Sequence, residues 1–260
     1  MSAQNPPIPG RLLVCPTPIG NLEDITLRVL RALAEADVLA CEDTRRTGAL
    51  LARHGISAAR LLSYHERNEA PRARELVARM LAGHTVALVS DAGMPVLSDP
   101  GFQLVRACLV AEIPVEVLPG PSAVPVALVA SGLPVARWCF VGFLPRKRGQ
   151  RERMLRDAPD TLIAFESPKR LPATLALLAE IDPQRPVAVC RELTKLHEEV
   201  LRAGAAELAE RYAAHPPKGE IVLVIAPAES PRAAPAISCG SEPSPRGPER
   251  APRASRADRG

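Results

Sequence analysis

Along the chain, short apolar runs alternate with longer segments in which apolar residues return every three or four positions. Runs of the first kind suit strands buried on both faces. Segments of the second kind suit helices with one apolar stripe, so the alternation predicts a parallel sheet with crossover helices. In the first half the predicted strands are Arg11 to Cys15, Val38 to Cys41, Arg60 to Ser63, Thr85 to Ser90 and Val115 to Leu118. Between them, Ile25, Val29 and Leu33 lie four apart, with Leu22 and Leu30 adjoining, which predicts an amphipathic helix. Thr47 to His54, Ala70 to Ala82, Phe102 to Glu112 and Ser122 to Ser131 are further predicted helices, the second with Leu76, Val77, Met80 and Leu81 facing inward.

The run WCFVGFLPRKRGQRER then turns from an apolar strand into a Pro-bearing basic stretch, and a domain boundary is placed near residue 135. Strands follow at Thr161 to Phe165, Pro186 to Cys190 and Glu220 to Ala226, with helices at Arg170 to Glu180 and Ala205 to Tyr212. The expected architecture is two α/β domains, 11–134 and 135–227. Residues 1–10 are expected to be a flexible N-terminus. Residues 228–260, rich in Pro, Arg, Ser and Ala, hold too little apolar surface to offset the entropy of ordering and are expected to be a disordered tail.

Composition narrows the class only slightly. Apolar residues make up 47% of the 260 and aromatics 3%, so the cores must be aliphatic. The net charge of +4 resembles that of a nucleic-acid binder, but six Arg against four acidic residues after Pro227 supply half of it. Charge alone therefore identifies no partner. Six scattered cysteines with no C-x-x-C spacing predict small buried thiols in a reducing compartment, without zinc or disulfides. No apolar run reaches membrane-spanning length and no leader pattern opens the chain, so a cytoplasmic protein without a membrane partner is expected.

Three segments share one design, in which a buried strand ends, a Gly- and Pro-rich loop turns, and a helix begins. They are CPTPIGN at 15–21, SDAGMPVLSDPG at 90–101 and PGPSA at 119–123. At the carboxyl edge of a parallel sheet such loops gather around a ligand. Neither G-x-G-x-x-G nor G-x-x-x-x-G-K-[ST] occurs, which argues against a dehydrogenase or an ATPase.

The run VCPTPIGNLEDITLRVLRALAEADVLACEDTRRTGALLARHGI, with SYHERNE, LVSDAGMPVLSDPG, LPGPSA, FVGFLPRK, FESPKRL, CRELTKLHEE and KGEIVLVI, resembles the 16S ribosomal RNA (cytidine-2′-O)-methyltransferase family of the tetrapyrrole-methylase superfamily. The likeness spans about residues 11–226. It implies S-adenosylmethionine as methyl donor in a cleft between the two domains, a cytidine ribose of 16S ribosomal RNA in the decoding region of the small subunit as acceptor, and a homodimer. Carried onto this chain, the donor site comprises Ile19, Asp91, Ala92, Gly93, Ser122, Ala123 and the backbone around Phe165. A tetrapyrrole C-methyltransferase of the same fold and a non-catalytic ribosome-binding protein are the rival readings.

Several residues carry both a plain and a chemical reading. Glu42 and Asp43 follow a strand and precede a helix, so each suits a helix cap as well as a cleft carboxylate. Arg45 and Arg46 are either phosphate ligands or a solvated face. Arg146, Lys147 and Arg148, after an apolar strand, suit RNA phosphates, as do Lys169 and Arg170. Glu166, Lys195 and Glu42 are the candidate bases for a ribose hydroxyl, with Arg191 to steady charge. RELTKLHEE places Arg191, Glu192, Lys195 and His197 within two turns. His54, His65, His84 and His215 lack a partner pattern and are expected to be structural or surface residues. No His, Cys or carboxylate set has metal-ligand spacing, so no metal is expected.

Overall fold

The computed structural model describes residues 10–57 and 60–228. The first half runs β1 (Leu12–Cys15), α1 (Leu27–Glu35), β2 (Val38–Cys41), α2 (Thr44–Arg53), β3 (Leu61–Ser63), α3 (Glu69–Leu81), β4 (Val86–Val89), α4 (Phe102–Val110), β5 (Val115–Val117) and α5 (Ala123–Ser131). The second half runs β6 (Trp138–Phe143), α6 (Arg148–Arg156), β7 (Thr161–Glu166), α7 (Leu171–Ile181), β8 (Pro186–Arg191), β9 (Glu199–Gly204), α8 (Ala205–Ala214) and β10 (Ile221–Ile225).

The first sheet has the order β3-β2-β4-β1-β5 and is parallel throughout. Strand side chains alternate between faces, and here both faces are covered. Leu12, Val14, Val86 and Leu88 meet Leu76, Met80, Leu104 and Cys108 of α3 and α4. Leu13, Cys15, Ala87 and Val89 meet Val29 and Leu33 of α1 and Leu51 of α2. This explains the unbroken apolar runs in the sequence. The Thr26 hydroxyl caps α1 by accepting from the Val29 N–H at 3.2 Å, which sets where the helix starts.

The second sheet has the order β6-β7-β10-β8-β9. Only β6 and β7 run parallel within it, while β10 is antiparallel to β7 and β8, and β8 to β9. One face packs on α6, α7 and α8 through Leu155, Leu175, Leu178 and Leu208. The other face, with Ile163, Ala188, Cys190, Val222 and Val224, is covered by Val124, Ala127 and Leu128 of α5 and by Ile19 of the loop after β1. Burying one such leucine is worth roughly 2 kcal/mol, so this seam ties α5 and the loop after β1 firmly to the second sheet. The described residues form one compact unit.

Several sequence expectations change here. Helix α5 precedes the expected boundary near residue 135 yet packs on the second sheet. The basic stretch after β6 contains a helix, α6, whose inward face is Arg151 and Leu155. RELTKLHEE is not helical: it leaves β8 through positive φ at Glu192 (51°) and Thr194 (63°), then enters β9, a strand unseen in the sequence. Helices α2 and α3 each start earlier than predicted. Leu22 and Leu81 are exposed, as is Cys139, whereas Cys15, Cys41, Cys108 and Cys190 are buried. Gly10 is packed against His84, with its N–H on the Met80 carbonyl at 2.7 Å, and is no part of a loose terminus. Ala228 bonds the Ala158 carbonyl at 2.9 Å. The remainder of the expected tail, Cys239 included, and residues 1–9 lie outside the described residues.

Candidate active site

The three Gly- and Pro-rich loops leave the carboxyl ends of β1, β4 and β5 and lock onto one another. Thr17 and Gly93 exchange both backbone hydrogen bonds at 2.9 Å. The Thr17 hydroxyl donates to the Ser90 carbonyl, and the Ser90 hydroxyl to the Gly93 carbonyl, each at 3.0 Å. Gly93 has φ of 80°, where a side chain would be strained, and a Cβ there would lie 3.3 Å from Ile19 Cγ2. Gly120 sits against Pro16, whose Cγ would be only 2.6 Å from a Cβ on it. Sheet geometry and these close approaches therefore make the three loops one wall.

Beside that wall lies a cavity of about 440 Å³, a size suited to a small organic ligand. Ile19, Ala92, Gly93, Ser122 and Ala123 line one side, and Phe165, Glu166, Cys190 and Val222 of the second sheet line the other, with Leu193 just past β8. Ser122 occupies the N-cap position of α5 but caps nothing, which leaves its hydroxyl for a ligand. Phe140 and Phe143 stack edge-to-face on Phe165 with centroids 5.0 and 5.6 Å away, which fixes the ring that lines the cavity. Of the seven expected donor contacts, six line this space. Asp91 does not: it accepts from the Asp43 N–H at 3.0 Å and pairs with Arg46 at 3.5 Å, tying the β2 and β4 loops together behind it.

The four expected catalytic residues are not brought together. Glu166 lines the cavity, but its side chain is 0% exposed and its oxygens are occupied. Oε1 accepts from the Ser167 N–H at 2.8 Å and pairs with Arg170 at 3.3 Å, and Oε2 accepts from the Thr174 hydroxyl at 2.7 Å. Lys195 lies off the cavity in an ion-pair cluster, 2.8 Å from Glu192 and 3.1 Å from Glu220. Burial alone would lower its pKa, but the bonds to those carboxylates outweigh it and hold the ammonium above its ordinary value. A neutral lysine base is therefore unsupported. Arg191 is engaged by Glu199 and the Lys218 carbonyl. Glu42 lies outside the cavity lining, its pKa raised by burial and then by Asp91 and Glu66.

The match to a family model decides the family. Residues 11–209 match the tetrapyrrole (corrin/porphyrin) methylases. A ribosomal RNA small subunit methyltransferase I from Hydrogenobaculum sp. is 46% identical over 83% of this chain and 95% of its own. The one from Thermotoga maritima is 44% identical over 83% and 98%. The chain belongs to the ribosomal RNA small subunit methyltransferase I family. Among solved structures, uroporphyrin-III C-methyl transferase from Thermus thermophilus, complexed with S-adenyl homocysteine, superposes with TM-score 0.58 at 23% identity, covering 84% of this chain and 97% of that one. A diphthine synthase superposes at 0.64 and 16%, over 84% and 90%. At such identities these two establish the fold alone.

As a member of the ribosomal RNA small subunit methyltransferase I family, the chain is a methyltransferase, with S-adenosylmethionine as donor. The cavity fits that donor: the Gly93 backbone is bare, the Ser122 hydroxyl is free of a cap, and apolar walls suit a purine and an aliphatic chain. Of the basic residues read as RNA ligands, Arg146, Lys147 and Lys169 are exposed. Arg45 is drawn onto Asp43 at 2.7 Å and Arg148 onto Glu180 at 2.5 Å. Arg170 instead holds the Leu144 and Pro145 carbonyls at 2.7 and 3.0 Å, directly before the basic run. Asp43 is a cap in fact, accepting from the Arg45 N–H at 2.8 Å.

Sequence reasoning missed Asp99, Phe143 and Gly219–Val222 in the lining. Asp99 stood inside a quoted motif, with nothing but its carboxylate to mark it. The β10 residues looked like ordinary core.

Proposed function

We propose that the chain transfers a methyl group from S-adenosylmethionine to the ribose 2′-hydroxyl of a cytidine in the decoding region of 16S ribosomal RNA, acting on the small subunit in the cytoplasm. The observation that carries this is the juxtaposition of a donor-sized cavity with a basic run. Phe143 lines the cavity and is followed within five residues by Arg146, Lys147 and Arg148. The curated relatives, named for small-subunit ribosomal RNA, support the same acceptor. The bound donor supplies an electrophilic methyl group. The chain's own part is to hold two ligands in line, with Gly93 and Ser122 on the donor side and the exposed cations on the phosphates.

An assembled or nearly assembled subunit is favoured over free RNA because the part before the tail carries little net charge, so shape must add to a few phosphate contacts. A homodimer is part of the proposal. Trp138 and Phe143 on the edge strand β6 and Val126 and Val129 on α5 are exposed apolar side chains suited to burial against a second copy. Among the described residues no helix is long and apolar enough to cross a membrane, and no three His, Cys, Asp or Glu side chains are gathered to hold a metal.

Mapping 2′-O-methyl groups on ribosomal RNA from a deletion strain tests the reading. One cytidine methyl should vanish from 16S RNA and return on complementation. An unchanged map overturns the proposal. Donor binding by calorimetry without any methyl transfer would instead support the non-catalytic rival.

A further inference from the structure

We propose that the start of α6 is a seat for one phosphate of the ribosomal RNA backbone, formed by the N–H groups of Gly149 and Gln150 over the buried charge of Arg151. This deepens the reading of the basic run above, and rests on it, by naming the atoms that grip the acceptor strand.

A helix carries partial positive charge at its N-terminus, so acidic side chains are favoured there and basic ones at the far end. Helix α6 follows that rule at its end, with Arg153 and Arg156 in the last turn. It breaks the rule at its start. No acidic residue stands in the first turn, the N-cap is Lys147, whose side chain caps nothing, and Arg146 and Arg148 flank it. Arg148 is drawn onto Glu180, but Arg146 and Lys147 meet no carboxylate among the described residues. The Lys147 carbonyl accepts from the Arg151 N–H at 3.1 Å. The N–H groups before it, of Arg148, Gly149 and Gln150, have no partner within the helix. Gly149 is exposed, and a Cβ there would have nothing within 4 Å, so an anion can reach the backbone.

Arg151 makes this more than a bare helix end. It is only 8% exposed, its Nε has no hydrogen-bond partner, and no carboxylate lies within ion-pair distance of it among the described residues. Its guanidinium is turned back toward the stretch that enters the helix, where Nη1 reaches the Pro145 carbonyl at 3.4 Å. Arg170 Nη2 donates to the same carbonyl at 3.0 Å. Two guanidiniums thus share one carbonyl, while Glu166 is already taken by Arg170, the Ser167 N–H and the Thr174 hydroxyl. Burial, then the Arg170 charge, holds Arg151 below the ordinary arginine value, with Glu166 opposing and Arg148 adding to the shift. A buried charge calls for an opposite partner. An anion at the uncapped N–H groups answers both deficits at once, and local rules broken without internal compensation are expected at functional sites.

Phosphate is the anion that an RNA substrate brings. Gly149 follows Phe143 of the cavity lining by six residues, so the seat lies within about 20 Å of the cavity, close enough for a phosphate on the same strand as the acceptor ribose. Helix N-termini that take phosphate oxygens fix register without reading sequence. The seat therefore positions the strand.

The test is binding of the full chain, over a range of salt, to small subunits from a strain lacking it. Gly149→Glu and Gln150→Glu each put a carboxylate where the phosphate sits. Each should weaken binding about tenfold near 0.1 M salt and flatten the slope of log affinity against log salt by about one. Each should also melt about 1–4 °C higher than the wild type, because its carboxylate suits the helix start. Arg153→Gln removes one positive charge at the other end of the helix and should change affinity by less than about twofold. Donor Kd should stay put in all three. Wild-type affinity and slope in both Glu variants overturns the seat. So does a lower melting temperature in both, which would show that the helix start lacks no anion. Weakened binding with an unchanged slope overturns it as well, giving this surface to a protein of the subunit. A chain that shows the predicted slopes yet methylates no ribose keeps the seat and overturns the 2′-O reading.

Discussion

At the scale of single residues, two carboxylates at one cavity have opposite fates. Glu166 is a base candidate by its place at a strand end, but its side chain is buried and three donors occupy its oxygens. Its work is to fix the turn from β7 into α7. Glu166→Gln, which puts an amide NH₂ where an oxygen accepted, should cost about 1–3 kcal/mol of stability, read as a lower urea midpoint with an unchanged slope. A normal midpoint with a rate reduced about tenfold would return Glu166 to catalysis. Asp99 makes a prediction in pH. Its pKa is raised in the folded chain to about 7, so the folded state binds an extra proton between the ordinary aspartate range and neutrality, and stability falls as pH rises through that window. Asp99→Asn should therefore match the wild type in melting temperature at pH 4 and exceed it at pH 8. Equal melting temperatures at both would show that the carboxyl is not perturbed.

At the scale of elements, Arg170 links the cavity wall to the basic stretch after β6. It pairs with Glu166 below and holds the carbonyls of Leu144 and Pro145 above, just ahead of Arg146 and Lys147. A lysine has no fork with which to span these partners. Arg170→Lys should raise KM for small subunits about tenfold while donor Kd stays put; a change confined to donor binding would contradict the linkage. The same stretch marks the limit of sequence reading. Parallel strands buried on both faces announced themselves, as VALV at 86–89 did, because every position is apolar. Helix α6 did not, because Arg151 fills an inward position that periodicity expects to be apolar. Strand β9 was hidden because its mixed side chains lie at a half-exposed edge, and the charged run before it imitates a helix. In the site, loops rich in Gly and Pro were legible because a turn against a ligand needs those residues. Asp99 and the β10 wall were not, since a carboxylate's chemistry depends on what fails to pair with it, and pairing is set by distant elements.

At the scale of the molecule, a parallel sheet supplies the three Gly- and Pro-rich loops, and a largely antiparallel second sheet closes the cavity and carries the basic run. The first half also supplies α5 and Ile19 to one face of the second sheet, so the second sheet has no complete core without it. Among the described residues β10, in the middle of the second sheet, is the last strand, and the Ala228 N–H bonds the Ala158 carbonyl. A chain stopped after Ala228 should unfold as cooperatively as the whole, because residues 229–260 hold almost no large apolar side chain; a broadened transition on calorimetry would show that they dock. The most direct test of the whole account is to incubate the purified chain with S-adenosylmethionine and small subunits from a strain lacking it, then digest the RNA to nucleosides for mass spectrometry. The account predicts one new 2′-O-methylcytidine per 16S RNA. A methyl group on a base, or none at all, would contradict it.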